Sequence, residues 1–356
     1  MHKKIAALAV AGLAASSAFA QSNVTAYGVI DVGYNQIRSD GRQTAQNIDS
    51  SQALGSRIGF KGEEDLGNGL KALFVLEYQI SPDTNTGVGT AMKWSGSVAR
   101  QQYVGLSSNY GTVTAGRLQT AGFTWACSYS PLTGGIFATD LRLGAKTSLE
   151  CGSGGRSDNA VAYQSPKIAG FQVEVDHARK TETASTTGVG DDFQNIVGVT
   201  YENGGLKIGG VYNYLKRSGN DSSVAAASRL NDIKEYGLGA SYEFKVVKLF
   251  ATYARNHEAT KDAESKYQIG AAVPVTTNGT VMASFAANSM IGNNTDSNAW
   301  AMAYFHNLSK RTTVYGGYVR VSNDSGAQRG AGSATDALPV LGGNSSAVAF
   351  GVRHLF

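Results

Sequence analysis

The stretch SRIGFKGEEDLGNGLKALFVLEYQI, Ser56 to Ile80, describes two strands joined by a short turn. Arg57, Gly59 and Lys61 alternate with Ile58 and Phe60; past the turn at Asp65 to Asn68, Leu70, Ala72, Phe74, Leu76, Tyr78 and Ile80 oppose Lys71, Glu77 and Gln79. On extended backbone successive side chains point to opposite faces, so each strand has one apolar and one polar side. A strand of a soluble sandwich alternates in the same way, and one hairpin does not say what the apolar face meets.

The same unit repeats from Asn23 to the end of the chain: about ten residues of alternating polarity, then a linker rich in Gly, Asn, Ser and Asp. In LKIGGVYNY, Leu206, Ile208, Tyr212 and Tyr214 oppose Lys207, Gly209 and Asn213. In the last segment Val348, Phe350, Val352 and Phe356 oppose Ala349, Gly351 and Arg353. The linkers themselves alternate in length. Short ones fall at 65–68, 109–111, 166–170, 203–205, around Lys245, at 276–278 and at 309–310; long ones fall near 39–49, 81–95, 121–157, 181–192, 218–231, 258–264, 290–297 and 322–345. Seven short and eight long connections give sixteen strands. An even strand number with short turns on one side and long loops on the other predicts an all-β, 16-stranded antiparallel transmembrane β-barrel.

Composition agrees with a closed sheet and excludes other classes. Gly is 44 of 356 residues, Pro only 5, and charged residues 16%. Low Pro and the absence of a G-X-Y period exclude a disordered chain and collagen, and heptads of Glu, Lys and Leu are missing. Tyr34, Tyr78, Tyr201, Tyr214 and Phe250 stand near strand ends, where an aromatic ring with a polar tip suits the headgroup level; ordinary β propensity accounts for such residues equally well.

The first twenty residues, MHKKIAALAVAGLAASSAFA, combine a basic start, an apolar run and a small-residue end, the layout of a signal peptide cleaved before Gln21. Residues 1–20 are therefore assigned to export and 21–356 to the barrel; a membrane anchor at this place would need a longer apolar run. Removing the leader takes the net charge from +4 to +2, too little to point to nucleic acid as a partner.

Six stretches in a fixed order carry a resemblance: AYGVIDVGY (26–34), SRIGFKGEEDLGNGLKALFVLE (56–77), YVGLSSNYGTVTAGRL (103–118), NAVAYQSP (159–166), LSKRT (308–312) and the terminal GVRHLF. Together they resemble the general diffusion porins of Gram-negative outer membranes, in particular the neisserial and beta-proteobacterial branch. The resemblance implies a multi-pass protein of the outer membrane and a homotrimer in contact with lipid and lipopolysaccharide. Each subunit would carry a water-filled pore, narrowed by an inward-folded third loop, for passive passage of ions and small hydrophilic solutes, with no cofactor and no enzymatic activity. Terminal Phe356 resembles the signal read by the barrel-assembly machinery, although His354 stands where the family often carries an aromatic residue.

The connection Thr120–Ser157 occupies the place of the constriction loop and holds both cysteines, Cys127 and Cys151. In an oxidising compartment they most simply form an intraloop disulfide, two free thiols being the alternative. Closing a ring of about 24 residues corresponds to about 3.4 kcal/mol of loop-closure entropy. Ser130-Pro131-Leu132-Thr133-Gly134-Gly135 resembles the family's loop tip, but Ser128 and Leu132 stand where cation-preferring relatives carry carboxylates, and the nearest acids are Asp140 and Glu150.

Periodicity aims Arg57 and Lys61 into the lumen, and Arg156 by its parity with Ala160 and Ala162. Arg57 and Arg156 also match pore arginines of the family. Arg100 matches a third, yet shares parity with Val104 and Leu106, so its inward aim rests on the resemblance; Arg38 and Arg117 are placed in the same basic wall, although they lie near strand ends. For each of these side chains a solvated position at a loop mouth is the plain alternative. A basic wall facing a tip without acids implies a weak to moderate preference for anions, because the Debye length of about 8 Å at physiological salt is comparable to such an opening.

Other functions find less support. GxSxG, HExxH and P-loop motifs are absent, which disfavours an enzyme, and no CxxC or His cluster suggests a metal. A surface adhesin or antigen whose loops bind a host or phage partner is the main alternative. A plugged transporter or an autotransporter would need a domain before the first strand, which begins at Asn23.

Overall fold

A computed structural model describes residues 23–84, 87–88, 99–143, 148–180, 192–217, 231–258, 261–290, 294–332 and 338–356. The expected signal segment lies outside these residues. The strands are β1 (Asn23–Ser39), β2 (Ala45–Ser50), β3 (Arg57–Gly67), β4 (Leu70–Gln79), β5 (Ala99–Ser108), β6 (Gly111–Gln119), β7 (Arg156–Gln164), β8 (Phe171–Arg179) and β9 (Phe193–Asn203). They continue as β10 (Leu206–Lys216), β11 (Ile233–Glu243), β12 (Lys248–Glu258), β13 (Lys261–Pro274), β14 (Gly279–Met290), β15 (Ser297–Asn307), β16 (Thr312–Asn323) and β17 (Ser345–Leu355). Helices α1 (Ala121–Ser128) and α2 (Thr139–Arg142) lie between β6 and β7.

Each strand pairs antiparallel with its sequence neighbour, and β1 pairs with β17, so the sheet closes. Seventeen segments occupy sixteen wall positions, because β2 and β3 pair in turn with the two halves of β1: Val32–Ile37 face β2 and Asn23–Val29 face β3. The interruption between them is built around Asp31. Its carboxylate accepts the N–H groups of Gln52 (3.1 Å), Ala53 (3.2 Å) and Leu54 (2.9 Å) and the Tyr315 hydroxyl (2.6 Å). Ser51 reaches this bend through a positive φ of 64°. The long connection expected near 39–49 is thus shortened by β2, and the one near 258–264 is taken up by strand on both sides.

The two faces of the wall are unlike. Ile30, Phe60, Leu76, Val104, Leu238, Ile269, Trp300 and Phe350 are exposed on one, whereas Asn35, Glu77, Gln194, Asn213, Glu235 and Gln268 are buried on the other. An apolar exterior and a polar interior are the condition for a barrel in lipid. The expectation of a multi-pass membrane protein is corrected by this architecture. Its strands are not independent spans, since each satisfies its backbone groups on its neighbours and only the closed sheet meets lipid without a free edge. Among the described residues no helix is long and apolar enough to cross a membrane.

Closure brings the last residue into the wall. Gly28 N–H donates to the Phe356 carbonyl (3.1 Å) and Phe356 N–H to the Gly28 carbonyl (3.2 Å). A Cβ on Gly28 would stand 2.3 Å from the Phe356 ring and 2.6 Å from the Arg57 carbonyl oxygen. The ring could turn away, but the carbonyl belongs to the neighbouring strand. Gly28→Val is therefore expected to destabilise the closed barrel by about 1–3 kcal/mol, the usual cost of overpacking. The measurement is the temperature at which the folded band converts to the unfolded one on semi-native electrophoresis, and an unchanged temperature would contradict the tight seam.

Candidate functional site

The connection between β6 and β7 is long, yet it is held at its start, middle and return. Its start is capped twice: Thr120 Oγ1 accepts the Phe123 N–H (3.4 Å), and Asp176 on β8 accepts the Ala121 N–H (2.8 Å). An acceptor at a helix N-terminus satisfies donors that the helix itself leaves free. The run AGFTWACS carries a single β-branched residue and no Pro, which suits one short helix, and Pro131 follows soon after its end.

α1 lies on the polar face of β9 to β11, where the wall has been pared to glycine. A Cβ on Gly198 would meet Ala121 at 2.9 Å, one on Gly237 the Trp125 ring at 2.6 Å, and one on Gly239 the Tyr129 ring at 2.3 Å. Tyr129 also covers Gly209, and Pro131 covers Gly270 on β13. Further along, Leu132, Ile136, Phe137 and Leu143 pack on a small-residue surface of Ala299, Ala301, Ala303, Ala347 and Ala349 from β15 and β17. Each fully buried side chain of this size contributes about 1.5–3 kcal/mol.

Polar contacts fix the same segment. Gln268 Nε2 donates to Ser130 Oγ (2.9 Å) and Thr139 Oγ1 (3.1 Å), and the Ile136 N–H donates to the Gln52 carbonyl (2.7 Å) beside the Asp31 bend. On the return, the Ser148 N–H donates to Glu235 Oε2 (3.0 Å). Gln194 Nε2 donates to Ser148 Oγ (2.7 Å) and Asn213 Oδ1 (2.9 Å). Cys127 and Cys151 are joined, their Cα atoms 4.9 Å apart. The segment thus rests on β9 to β17 and on the bend before β3, and leaves the polar face of β3 to β7 on the other side.

That remaining face carries the basic residues. Glu77 on β4 receives Arg100 Nε at 2.7 Å and Arg57 Nε at 3.4 Å, and it accepts the Tyr27 hydroxyl at 3.0 Å. Lys61 stands over the Tyr27 ring, 5.4 Å from its centroid. The Arg156 guanidinium stacks on Phe123 at 4.7 Å and donates to the Gly152 carbonyl at 2.8 Å. Arg117, expected in the same wall, shares parity with exposed Val113 and Ala115 rather than with buried Leu118; it is paired with Asp158 (2.5 Å) and donates to the Ala99 carbonyl (2.6 Å). Arg38 stands apart, exposed and sharing parity with Ile30 and Tyr34 rather than with Asp31 and Asn35.

Two irregularities explain what strict alternation misses. The β4–β5 register passes from Glu77↔Gln101 to Tyr78↔Ala99, so Arg100 sits in a bulge and turns to Glu77 despite its parity. The β6–β7 register passes from Gly116↔Ala160 to Leu118↔Ser157, which breaks the even count from Ala160 back to Arg156. Arg156 owes its burial to Phe123 and Gly152 instead. Glu77 and Arg353 belong to this region without having been singled out beforehand. Both were already on the polar side of their strands; what the alternation lacks is any sign that one carboxylate sits between two guanidinium groups.

The acids of the connection lie behind its tip. Burial pushes the carboxyl groups of Asp140 and Glu150 above the ordinary carboxylate range, against the pull of Lys266 on both, of Arg142 on Asp140, and of Arg156 and the Gly154 N–H on Glu150; the Asp140 charge raises Glu150 further. Pro131 to Ala138 contain no acid.

Comparison with known proteins identifies the class. The family model described as Gram-negative porin matches residues 6–326. Outer membrane porin protein 32 of Delftia acidovorans is 31% identical with all of both chains covered. The major outer membrane protein P.IB of Neisseria gonorrhoeae is 34% identical over 58% of this chain and 55% of its own. An anion-selective porin from Comamonas acidovorans superposes with a TM-score of 0.78 at 27% identity, covering 94% of this chain and all of that one. The chain belongs to the Gram-negative porin family, whose members are outer-membrane channels and not enzymes.

Proposed function

We propose that the protein is a general diffusion porin whose connection 120–157 folds into the lumen and sets its narrowest passage, with a preference for anions. On this reading solutes pass between that connection and the polar face of β3 to β7. Residues 1–20 serve as the removed export signal, the disulfide limits how far the connection moves, and the working unit is a homotrimer in lipid and lipopolysaccharide.

One observation carries the anion preference. Of Arg57, Lys61, Arg100 and Arg156, Arg57 and Arg100 are ion-paired, both with the single carboxylate Glu77, and the facing tip Pro131–Ala138 has no acid. Fixed charge spaced within a Debye length acts on every ion that passes. The name of the Comamonas acidovorans relative points the same way. Reversal potentials of the purified protein in planar bilayers under a KCl gradient test it; a cation preference would remove the basis of the proposal.

The acids behind the tip add a pH dependence. Asp140 and Glu150 bind protons at higher pH than exposed carboxylates, so acidification neutralises them first while the arginines keep their charge. Anion preference is therefore expected to rise as pH is lowered from about 7 to about 5, above the ordinary carboxylate range. The reversal potential measured along that series checks the sign, and a shift toward cations on acidification would contradict it.

A further inference from the structure

Two arginines lie on the outer face of the wall, away from the lumen. Arg38 on β1 and Arg320 on β16 both stand opposite Ser346 on β17, so the three side chains form one row across adjacent strands. Ser346 has the parity of exposed Val348 and Phe350, and Arg320 stands opposite exposed Trp300, which turns the row outward. Both arginines are exposed. Among the described residues neither guanidinium has a hydrogen-bond or ion-pair partner. The acids that follow on the loops, Asp40 and Asp324, pair with neither of them, and Asp40 Oδ2 accepts the Asn344 N–H (2.9 Å). Beyond the end of β1, Arg42 adds a third exposed cation, its Nε donating to the Leu338 carbonyl (3.2 Å).

We infer that this row binds a lipid headgroup carrying two phosphates, the lipid A part of lipopolysaccharide, across the seam at which β1 and β17 close the barrel. The inference deepens the lipopolysaccharide contact proposed above and rests on it.

Position, charge and spacing select this ligand. An arginine on the outer face of a barrel is costly at the bilayer midplane and nearly free of cost at the interfaces. Arg38 is the last residue but one of β1, and Arg320 is followed by the long connection to β17, so both lie at the long-loop end, which faces the outer leaflet. Two ring pairs accompany them, Trp300 with Tyr318 and Tyr34 with Phe350, each with centroids 5.1 Å apart, and aromatic rings of this kind mark headgroup depth. Exposed Val348, Phe350 and Met302 continue the face and receive the acyl chains. A guanidinium presents a fork of N–H groups that matches phosphate oxygens. One strand separates the two arginines, which places their backbones about 10 Å apart. A single phosphate would draw two like charges together over Ser346, whereas a headgroup with a phosphate at either end gives each guanidinium its own partner. Held by both, the lipid spans β16, β17 and β1 and ties the closing strands together.

The test uses the full chain refolded in a nonionic detergent, free of bacterial lipid. Lipid A with two phosphates, the same lipid with one phosphate, phosphatidylglycerol or sodium pyrophosphate is added. Native mass spectrometry counts what stays bound, and the temperature at which the folded band converts is followed alongside. Lipid A with two phosphates is expected to be retained at a concentration about tenfold lower than the form with one, a difference of about 1.4 kcal/mol, and to raise the conversion temperature. Arg38→Gln and, independently, Arg320→Gln are each expected to remove both effects; should one variant fail to assemble, the other still decides. Lys234→Gln is the control and should keep both, since Lys234 is an outward cation at the long-loop end of β11 with the Asp232 carboxylate nearby. Equal retention of the two forms of lipid A, or of phosphatidylglycerol, overturns the two-phosphate site, and undiminished retention by both arginine variants overturns its placement on this row; either result leaves the lipopolysaccharide contact standing. Pyrophosphate that binds as tightly as lipid A overturns the lipid as occupant, and a changed number of chains per particle in the lipid-free variants shows that a second copy covers the row instead. Absence of lipid A retention by the unchanged protein overturns the contact and the site together.

Discussion

Glu77→Gln is expected to make the channel markedly more anion-selective and the barrel less stable at once. The carboxylate is the shared partner of two guanidinium groups whose side chains are only 13% and 21% exposed, and its own is 6% exposed. Removing its charge leaves Arg57 and Arg100 facing each other with nothing between them. Breaking a buried ion pair by deleting one partner typically costs about 3–5 kcal/mol, because the surviving charge stays desolvated. The value here is expected toward the lower end, since Gln still accepts a hydrogen bond from Tyr27 and the guanidinium groups border the lumen. Reversal potential and thermal conversion of the folded band read the two effects. Adding Arg100→Gln to Glu77→Gln restores the charge balance and is expected to recover much of the lost stability, the non-additivity that marks a coupled pair. If the single variant matches the unchanged protein in both measurements, Glu77 does not set the field of the passage.

The fold was legible because its rule is repetitive. Each strand exposes Leu, Val or Phe on one side only, and the short turns recur with enough regularity to count sixteen wall positions from residues alone. The departures are local and have no signature in alternation. The split of one wall position into β2 and β3 depends on Asp31 gathering N–H groups from Gln52 to Leu54, contacts between residues 21 to 23 positions apart. The bulges at Arg100 and at Asp158–Asn159 shift parity by one, and a one-residue shift moves a side chain to the other face. Arg38 illustrates the opposite case: its parity already placed it with Ile30 and Tyr34, away from the polar face on which it was expected.

The site was legible in its residue types more than in its balance. Arg57 and Lys61 follow from period two, whereas the neutralising share of Glu77 requires the neighbouring strands to be in register, Gly59 opposite Glu77 and Gln101 beyond it. The seats of the long connection were legible only as an excess of glycine. That Gly198, Gly209, Gly237, Gly239 and Gly270 make room for particular loop side chains depends on where Ala121, Trp125, Tyr129 and Pro131 come to lie, which no local pattern states.

Those seats yield the second large effect. In Gly209→Val with Gly239→Val, each new Cβ would stand 2.3 Å from an atom of Tyr129, a side chain only 1% exposed. Overpacking at about 1–3 kcal/mol for each position together matches or exceeds the about 1.5–3 kcal/mol that burial of one such ring contributes. Tyr129 is therefore expected to leave its seat. The strands behind it cannot yield without breaking ladder hydrogen bonds, and the neighbouring Cys127–Cys151 bond keeps the connection from opening widely, so the ring and α1 move toward the face of Arg57 and Arg156. Single-channel conductance is expected to fall and closures to become more frequent, with the folded barrel still recovered. Gly210→Ala is the control: it lies on the other parity of β10, where the nearest atom to a new Cβ is Leu238 Cδ2 at 3.5 Å, and it should conduct as the unchanged protein does. Equal conductance in the double variant and the control would place the connection outside the path of the ions and overturn the proposed constriction, because a ring displaced into a passage that the connection bounds could not leave the current untouched.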